Sequence, residues 1–554
     1  MTSTKPHAFY RLLAVLAMLG AWGMAAQAQV NIDAGSLLRQ TERDLVSPLP
    51  TPGVQPRSSA PLREVSPSDA TVQVRGFKLV GNTLLSTEQL LKALAPFTDR
   101  VMTLAQLKDA ADWVTTTYRE AGWTVRAFLP QQEIKDGIVT IQIIEAIFGG
   151  ASVQGEEPQR IEAAHLVRMA QSQLETGKPL SARRLDRVLL LLDDLPGVGV
   201  SGHLVPGQRD GETNLVLVAT DDQLLTGSTS VDNQGSLRTG SDRVSVNLSV
   251  NSPAGLGDAL AINGMKTQGV DYQRLAYTLP AGGDGWRWGV HVSNLNYRVV
   301  ADEFASLNPN GAATTVGWDL SYPLLRTLVQ NINLAFSYDD KRFDNAVNSV
   351  TTSYGIKVYN ASLAWQHMDG WAGGGSSNAS AGFTAGHKTN EESAYAKLSI
   401  SLGRLQKLSP RFSLSANFSA QTSNVNLDSS EKLYLGGATG VRAYPTGEAG
   451  GSLGHTLSLE LRQRFDNGFT WTTFYDHGRV QANADNNLSA PASPSAWYLQ
   501  GVGLSLGWQS PKGMDIKASV AQRMGDNPAA QSNGTDNDGT LRLNRAWLVA
   551  SVVF

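Results

Sequence analysis

Residues 241–251 read Ser-Asp-Arg-Val-Ser-Val-Asn-Leu-Ser-Val-Asn, and from Arg243 onward polar and apolar side chains alternate without interruption. A period of two residues places the apolar side chains on one face of a β-strand and the polar side chains on the other. The same alternation recurs in the segments 332–336, 398–402, 457–462, 502–508 and 548–554. The pattern therefore predicts a large all-β region over residues 223–554.

Three features favour a transmembrane barrel over a soluble sandwich for this region. It is far longer than a sandwich requires, the chain carries an export signal, and the last segment, Leu548–Phe554, is an alternating strand with a terminal Phe. Sixteen candidate strands can be counted, and an even number suits a closed outer-membrane barrel. We therefore predict a transmembrane β-barrel of sixteen antiparallel strands that faces outer-membrane lipid with its apolar side.

The bulk composition excludes several classes of protein. The 554 residues carry a formal net charge of -3, so the chain shows no basic footprint for nucleic acid. It contains no cysteine, which excludes a disulfide scaffold and thiolate metal sites. The eight histidines show no ligand spacing. Neither a metal nor another cofactor is predicted. The mean hydropathy of -0.19 also disfavours helical membrane spans.

The amino terminus resembles a targeting segment. Lys5, His7 and Arg11 precede an apolar run from Leu12 to Ala25, and Ala26-Gln27-Ala28 follows as a small-x-small cleavage pattern. We predict a signal peptide over residues 1–28. An uncleaved anchor is the alternative, although the apolar run is short for a membrane span.

Residues 29–46 are predicted to form a short helix that begins after Asp33, a suitable N-cap. Its apolar residues are few, and it is marginal in isolation. It therefore either docks in a polar pocket or remains a disordered terminus. The candidate docking residues are Leu37, Leu38, Arg39, Gln40 and Glu42. Residues 47–71 are rich in proline and predict an extended linker.

Two α+β units, predicted over residues 72–148 and 149–222, follow the linker. Each reads strand, helix, helix, strand, strand. In the first unit a single strand is expected over residues 72–80, and Ser86 with Gln89 and Thr103 with Gln106 form two capping boxes. The remaining expected elements are the strands Thr124–Leu129, Ile138–Glu145, Ala151–Val153, Val198–Val205 and Asn214–Val218 and the helices Ile161–Glu175 and Ser181–Asp194.

This order, found twice, resembles the polypeptide-transport-associated (POTRA) domain. Phe77-Lys78-Leu79-Val80-Gly81-Asn82 carries the resemblance in the first unit. In the second unit it is carried by Asp194-Leu195-Pro196-Gly197-Val198 and by Pro206-Gly207. The resemblance implies a periplasmic location for both units.

A glycine-rich loop, Leu435–Gly454, interrupts the alternating strands and contains a lone cation, Arg442. The strand count places it between the eleventh and twelfth strands, as the sixth extracellular connection. Long loops of this kind are usually functional or disordered. Without further information, an exposed surface Arg of little energetic consequence is the alternative.

Two motifs in and after this loop resemble those of the two-partner secretion transporters of the TpsB type, the filamentous haemagglutinin and haemolysin transporter family. Val441-Arg442-Ala443-Tyr444 is similar to their VRGY motif, and Phe474, Asp476 and Gly478 match their F-x-D-x-G motif. The resemblance implies that the loop folds into the barrel and that Arg442 pairs with Asp476. Ala443 stands where the motif usually has Gly, which would cost energy if that position required a positive φ.

The resemblance also implies a function. We expect an outer-membrane transporter, with no enzymatic activity, that recognises an unfolded partner exoprotein through its POTRA domains. The expected client is an adhesin, a haemolysin or a contact-dependent inhibition toxin, which would pass through a monomeric pore plugged at rest by the 29–46 helix. Whether export also activates the client is left open. The alternatives are an insertion factor for other barrels and a simple porin or barrel enzyme.

Two further motifs are read as coincidences. Gly450-Gly451-Ser452-Leu453-Gly454 fits G-x-S-x-G, but a nucleophile elbow requires a helix to follow, and here a strand is predicted. Asp536-Asn537-Asp538-Gly539 suggests a calcium loop but lacks its first and last ligands.

Overall fold

The structure is a computed structural model, and it describes residues 32–45, 71–348, 350–389, 394–484 and 496–554. The predicted signal peptide and all but the last residue of the predicted linker lie outside the described residues. Within the described ranges, no helix is both long and apolar enough to cross a membrane.

Helix α1, Ala34–Leu45, is amphipathic. Asp33 caps it, because the Ser36 N–H donates to Asp33 Oδ1 over 2.7 Å. The side chains of Ala34, Leu37, Leu38 and Thr41 are buried, at the spacing of one helical face. The predicted helix is therefore present.

The first α+β domain follows Thr71. Its sheet has the order β2-β5-β4, so β4 is an edge strand. The predicted capping boxes are both formed, by Ser86 with Gln89 and by Thr103 with Gln106. Its elements are β1 (Thr71–Val74), β2 (Gly76–Val80), α2 (Thr87–Leu94), β3 (Arg100–Thr103), α3 (Leu104–Glu120), β4 (Val125–Phe128) and β5 (Ile138–Glu145).

The single strand predicted over residues 72–80 is wrong. The chain breaks at Arg75, and β1 pairs with β3 in a separate two-stranded sheet, while β2 pairs with β5. The break is visible in the sequence as a change of phase, because Val72 and Val74 are at even positions and Phe77 and Leu79 at odd ones. One continuous strand would have turned these two pairs to opposite faces.

The second domain repeats the order strand, helix, helix, strand, strand. Its first strand begins at Ile147, and the buried Phe148 belongs to its core. The predicted boundary between residues 148 and 149 therefore falls inside a strand and has to move a few residues earlier. The elements are β6 (Ile147–Val153), α4 (Ala163–Gln173), α5 (Ala182–Asp193), β7 (Val198–Pro206) and β8 (Glu212–Asp221).

The rest of the described chain forms a closed barrel of sixteen antiparallel strands, which confirms the predicted fold class. The wall consists of β9 (Leu225–Asp232), β10 (Arg243–Asn251), β11 (Ala259–Lys266), β12 (Val270–Ala281), β13 (Trp286–Arg298), β14 (Asn310–Arg326), β15 (Gln330–Val347), β16 (Val350–Asp369), β17 (Gly375–Lys388), β18 (Ala394–Lys407), β19 (Phe412–Ser423), β22 (Leu453–Arg464), β23 (Phe469–Gln481), β24 (Ala496–Gln509), β25 (Met514–Arg523) and β26 (Asn544–Val553). Two short strands, β20 (Leu433–Leu435) and β21 (Ala449–Gly451), pair in the loop between β19 and β22.

The first and last wall strands close the barrel. β9 and β26 pair over five residues, from Val549↔Asp232 to Val553↔Ser228. The N–H of Gly227 also donates to the carbonyl of Phe554 over 2.8 Å. This seam is the shortest pairing in the wall.

Strand alternation separates a lipid face from a lumen face. On β13 the side chains of Trp288, Val290 and Val292 are exposed, whereas those of Leu295 and Tyr297 are buried. The buried set belongs to a cluster inside the barrel. The alternation read from the sequence therefore corresponds to two sides of one wall, as in outer-membrane barrels.

The second α+β domain contacts one end of the barrel. Arg326 on β14 forms a bidentate pair with Asp194, with both N–O distances at 2.7 Å. Arg187 on α5 donates to the carbonyls of Asp284 and Pro323 over 3.0 and 2.7 Å. Because the POTRA resemblance implies a periplasmic location for this domain, these contacts mark the expected periplasmic end, and the loop that contains Arg442 starts from the opposite end.

Glu145 at the end of β5 fixes the turn that follows β2. Its Oε1 accepts hydrogen bonds from the N–H groups of Thr83 and Leu84 over 2.7 and 2.8 Å and from the Tyr118 hydroxyl over 2.8 Å. Burial opposes ionisation, but these hydrogen bonds outweigh it and hold the pKa of Glu145 below its ordinary value of 4.5.

A lowered pKa in the folded domain means that this carboxylate stabilises the turn above its unfolded pKa. The contribution is lost as the pH falls through the lowered folded value. Amide hydrogen exchange of residues 81–85, corrected for intrinsic rates, should therefore accelerate on acidification. In Glu145→Gln the exchange should be fast at neutral pH already and show no such dependence. Equal protection in both proteins would contradict the role of the charge.

Candidate functional site

The loop between β19 and β22 folds back into the barrel. Val441, Ala443 and Tyr444 are fully buried, and they pack with inward-facing residues of β23 to β25. Two glycines of the wall make room for them. A Cβ at Gly478 would lie 3.0 Å from Val441 Cγ2, and one at Gly501 would lie 2.5 Å from Ala443 Cβ.

Arg442 contacts Asp476 through three donors. Its Nε and Nη2 donate to Oδ2 and Oδ1 over 2.8 and 2.7 Å, and its backbone N–H donates to Oδ2 over 3.1 Å. Arg442 is 5 % exposed and Asp476 is 1 % exposed. The guanidinium therefore binds one carboxylate in the bidentate geometry that Arg favours, and the pair is shielded from solvent.

A second carboxylate, Glu460 on β22, completes the cluster. Arg442 Nη1 donates to Glu460 Oε1 over 2.8 Å, and Arg462 binds the other oxygen, Oε2, over 2.6 Å. The guanidinium also lies over the Phe474 ring, 3.4 Å from its centroid. The sequence-based prediction missed Glu460. Its position on the polar face of β22 was visible, but its proximity to Arg442 depends on strand register.

The predicted motif residues are thus brought together. Val441 lies against Gly478, Tyr444 packs below the Arg523 guanidinium at 5.1 Å, and Phe474 stacks under Arg442. Trp547 of β26 adds a bond that the motifs did not indicate, because its Nε1 donates to the Arg442 carbonyl over 2.8 Å.

Ala443 fits the loop without strain. It is absent from the described non-glycine residues that have a positive φ. The left-handed positions of the loop are Gly436, Gly437 and Gly447, with φ of 84°, 85° and 73°. These three glycines therefore adopt the positive φ values that the turn requires. Alanine at position 443 has no positive φ and costs no backbone energy.

Helix α1 lies inside the barrel. Its apolar face packs on inward-facing residues, and the cluster that Ala34, Leu37 and Leu38 join consists of Met265, Val270, Tyr272, Leu295, Tyr297, Ala313, Phe343, Ile356, Val358, Tyr395 and Leu427. Gly35 permits close approach, since a Cβ there would lie 2.6 Å from Ser429 Oγ. The structure thus shows a docked helix and not the alternative of a disordered terminus.

The polar residues of α1 meet charged partners in the lumen. Gln40 lies against Gly447 of the loop. Arg39 is within electrostatic range of Glu431, and Glu42 of Lys341. Leu37, Leu38 and Gln40 therefore pack on the lumen wall or the folded-in loop, and Arg39 and Glu42 lie near charged residues of the lumen.

The end of α1 is tied to both the loop and the wall. Arg43 donates to the Tyr434 carbonyl over 3.1 Å and to Thr439 Oγ1 over 2.9 Å. Asp44 pairs with Arg243 at the start of β10 over 2.7 Å, and Arg243 also holds Asp232 over 2.8 Å. Helix and loop consequently share hydrogen bonds and support each other.

Glu431 anchors the first part of the loop. It is 3 % exposed and pairs with Lys341 of β15 over 3.0 Å and with Lys397 of β18 over 2.5 Å. The adjacent Ser429 donates to Asp33 Oδ1 over 2.9 Å. This short segment therefore connects the barrel wall to the start of α1.

The two motifs read as coincidences have structural roles. Ser452 accepts from the Leu427 N–H and donates to the Ala482 carbonyl, over 2.9 and 3.1 Å, and a strand follows it. Asp536 is fully buried and binds the cations Arg523 and Arg545 over 2.5 and 2.8 Å.

Two POTRA-type domains before a sixteen-stranded barrel, with an Arg-bearing loop folded into the lumen, define an outer-membrane transporter of the two-partner secretion class. Two family models match the chain. The model described as "Haemolysin secretion/activation protein ShlB/FhaC/HecB" matches residues 211–508, and "POTRA domain, ShlB-type" matches residues 72–146. The first match covers more than half of the chain, and the chain belongs to this haemolysin secretion/activation family.

Individual relatives agree with this assignment. The chain is 24% identical over 526 residues to the heme/hemopexin transporter protein HuxB of Haemophilus influenzae, covering 89% of this chain and 92% of that protein. It is 23% identical to the hemolysin transporter protein HpmB of Proteus mirabilis, covering 72% and 74%. The outer membrane transporter CdiB of Escherichia coli is 27% identical over 40% of this chain and 39% of its own length.

Solved structures share the fold. CdiB from Escherichia coli superposes with a TM-score of 0.67 at 19% identity, covering all of both chains. BamA from Haemophilus ducreyi lacking POTRA domains 1–3 gives 0.52 at 14% identity, covering 87% of this chain and 100% of that one. The likeness to BamA is the more distant of the two and concerns the fold alone.

Breaking the Arg442 cluster should release the loop. Arg442→Ala leaves Asp476 and Glu460 buried without their cation, which costs on the order of 3–5 kcal/mol for a buried pair. Hydrogen exchange of residues 438–446 should therefore rise strongly while the barrel remains closed. The matched control is Arg411→Ala, which removes an exposed pair with Asp466 and is worth about 0–1 kcal/mol. Unchanged exchange in Arg442→Ala would show that the loop is held by other contacts.

Proposed function

We propose that this protein exports one large secreted protein, received unfolded in the periplasm, through its barrel to the cell surface. The observation that carries the proposal is the occupied lumen, in which α1 and the Arg442 loop are held mainly by side-chain contacts to the wall. Elements held in this way can move without unfolding the wall. Family membership supports the same reading.

The first POTRA-type domain offers a receiving site. A groove of about 700 Å³ runs between α3 and the edge strand β4. Its lining is mostly apolar and includes Leu104, Leu107, Phe128 and Ile134. An extended client segment can pair with an edge strand through its backbone and place alternate side chains in such a groove.

Helix α1 acts as the resting plug. Its apolar contact is modest, because Ala34, Leu37 and Leu38 are the only members of the lumen cluster among the α1 side chains that the structure describes. An entering client segment can therefore compete with it, and the shared contacts of Arg43 and Asp44 couple its departure to the loop. Folding of the client outside the cell would bias the passage.

The client is a large exoprotein of the adhesin, haemolysin or contact-dependent inhibition toxin type. The relatives named above are transporters for heme/hemopexin and hemolysin systems and CdiB transporters. The wall closes within a single chain, which supports a monomeric pore. The outward apolar side chains of the wall suit contact with outer-membrane lipid.

Secretion of a co-expressed client tests the function. The candidate client is a large exoprotein encoded by a neighbouring gene, if the genome has one there. It is assayed in the medium and should be released only when the transporter is present. Leu104→Glu should reduce its release and its capture by the purified transporter, because a charge in the groove opposes an apolar side chain. Leu104 is 55% exposed, so the domain should still fold.

The control for this experiment is Leu91→Glu. It makes the same substitution at a residue of α2 that is 38% exposed and does not line the groove. Release at the wild-type level is expected. Equal loss from both variants would mean that the groove is not the receiving site, and release without the transporter would refute the function itself.

Planar-bilayer conductance tests the plug. Removing residues 29–45 should raise the single-channel conductance, because α1 occupies the lumen. Leu38→Asp keeps the length of the chain but places a charge in the apolar cluster, where Leu38 is 1 % exposed. It should raise the conductance as well, whereas the volume-conserving Leu38→Met should not. A conductance that is the same in all four proteins would exclude a plug.

A further inference from the structure

A group of polar side chains interrupts the lipid-facing surface of the barrel on β22, β23 and β24. We call it the outer cationic patch, and it consists of His455, His477, Arg479, Tyr498 and Gln500. None of these residues takes part in the loop cluster or in the docking of α1.

Strand alternation shows that the patch faces outward. On β23 the buried Phe474, Asp476 and Val480 face the lumen. His477 and Arg479 are at the opposite parity and point to the lipid side. The register extends this face to the neighbours, because Arg479 lies directly opposite His455 on one side and Tyr498 on the other.

The patch lies at the extracellular edge of the apolar band. On β22 the outward side chains of Leu461, Leu459 and Leu457 lead up from the periplasmic end to His455. On β24 they are Trp508, Leu506, Leu504 and Val502 before Gln500 and Tyr498. The band gives way to cationic and polar side chains at the level where lipid headgroups begin.

The side chains of the patch contact one another. The His455 and His477 rings stack with centroids 5.5 Å apart, and Gln500 Nε2 lies 3.3 Å from His477 Nδ1. The Arg479 guanidinium lies 5.1 Å from the Tyr498 ring centroid. Four nitrogen-bearing side chains are thereby held on one small area of the wall.

Within the described residues, no acidic side chain compensates the positive charge of the Arg479 guanidinium. The described outward positions of β19 and β22 to β25 contain no Asp or Glu. Among the residues that the structure describes, Arg479 forms no ion pair. At the membrane interface an unpaired guanidinium is accessible to water and to the anionic headgroup of a lipid.

Two other outward cations at this end of the barrel are paired. Lys266 on β11 holds Asp271 on β12 over 2.8 Å, and Arg342 on β15 lies 3.9 Å from Asp340. Arg479 is therefore unlike these neighbours in having an open guanidinium next to two imidazoles.

We propose that the outer cationic patch is a binding site for the phosphate group of an outer-leaflet lipid. The Arg479 guanidinium supplies a fork that matches phosphate geometry, and His455, His477 and Gln500 supply further donors. Tyr498 packs against the guanidinium and limits its rotamers. The lipid would attach the barrel to the outer leaflet at β23, the strand that also carries Asp476.

Lipopolysaccharide, whose lipid A carries phosphate groups, is the probe for this site. The full-length protein is delipidated in detergent, its closed barrel is verified by heat-modifiable electrophoresis, and lipopolysaccharide binding is measured by native mass spectrometry. Arg479→Gln should weaken binding by about fivefold, as expected for one basic residue at an anionic lipid surface. Arg479→Lys, which keeps the charge, should retain most of the affinity. The double variant His455→Gln/His477→Gln should also bind more weakly than wild type.

Lys266→Gln is the matched control, because it removes an outward cation that already has a protein partner. It should bind as wild type does. Dephosphorylated lipopolysaccharide should bind wild type and Arg479→Gln equally. The proposal is overturned if Arg479→Gln binds phosphorylated lipopolysaccharide as tightly as wild type. It is also overturned if equimolar inorganic phosphate displaces the lipid, since the site would then bind free phosphate.

Discussion

A single guanidinium between two carboxylates determines how the lumen is organised. Arg442 bonds Asp476 on β23 and Glu460 on β22, so two neighbouring wall strands hold one loop residue. A buried ion cluster adds little to total stability, but an incomplete one is very unfavourable. The cluster therefore selects one position of the loop from many that its glycines would allow. The loop in turn offers the Tyr434 carbonyl and Thr439 to α1, so the helix depends on it indirectly.

The movable parts and the wall are held by different kinds of interaction. The wall is a continuous ladder of backbone hydrogen bonds closed on itself, whereas loop and helix are attached mainly by side chains such as Glu431, Arg243 and Asp44. Side-chain contacts can be replaced one at a time, either by contacts with another chain or by contacts with water. Backbone ladders in lipid have no such substitute. This division allows the contents of the pore to rearrange within a rigid frame.

The sequence was informative where local rules apply. Strand alternation predicted the barrel, capping boxes predicted the starts of α2 and α3, and the two motifs predicted the Arg442–Asp476 contact. The sequence was less informative where the register between strands determines which residues are neighbours. Glu460 could be placed on an inward face but not beside Arg442, because the stagger of neighbouring strands is not encoded in alternation alone. The break at Arg75 was encoded, as the phase change between Val74 and Phe77.

The seam between β9 and β26 has a consequence for assembly. Every other neighbouring pair in the wall is joined by one turn or loop, whereas these two strands are separated by the whole barrel sequence. Neighbouring strands can pair one after another along the chain, but the barrel cannot close until β26 is in place. Until then β9 presents an unpaired edge that is open to pairing with foreign strands. The edge of β9 is therefore exposed to mispairing for as long as the last strand takes to arrive.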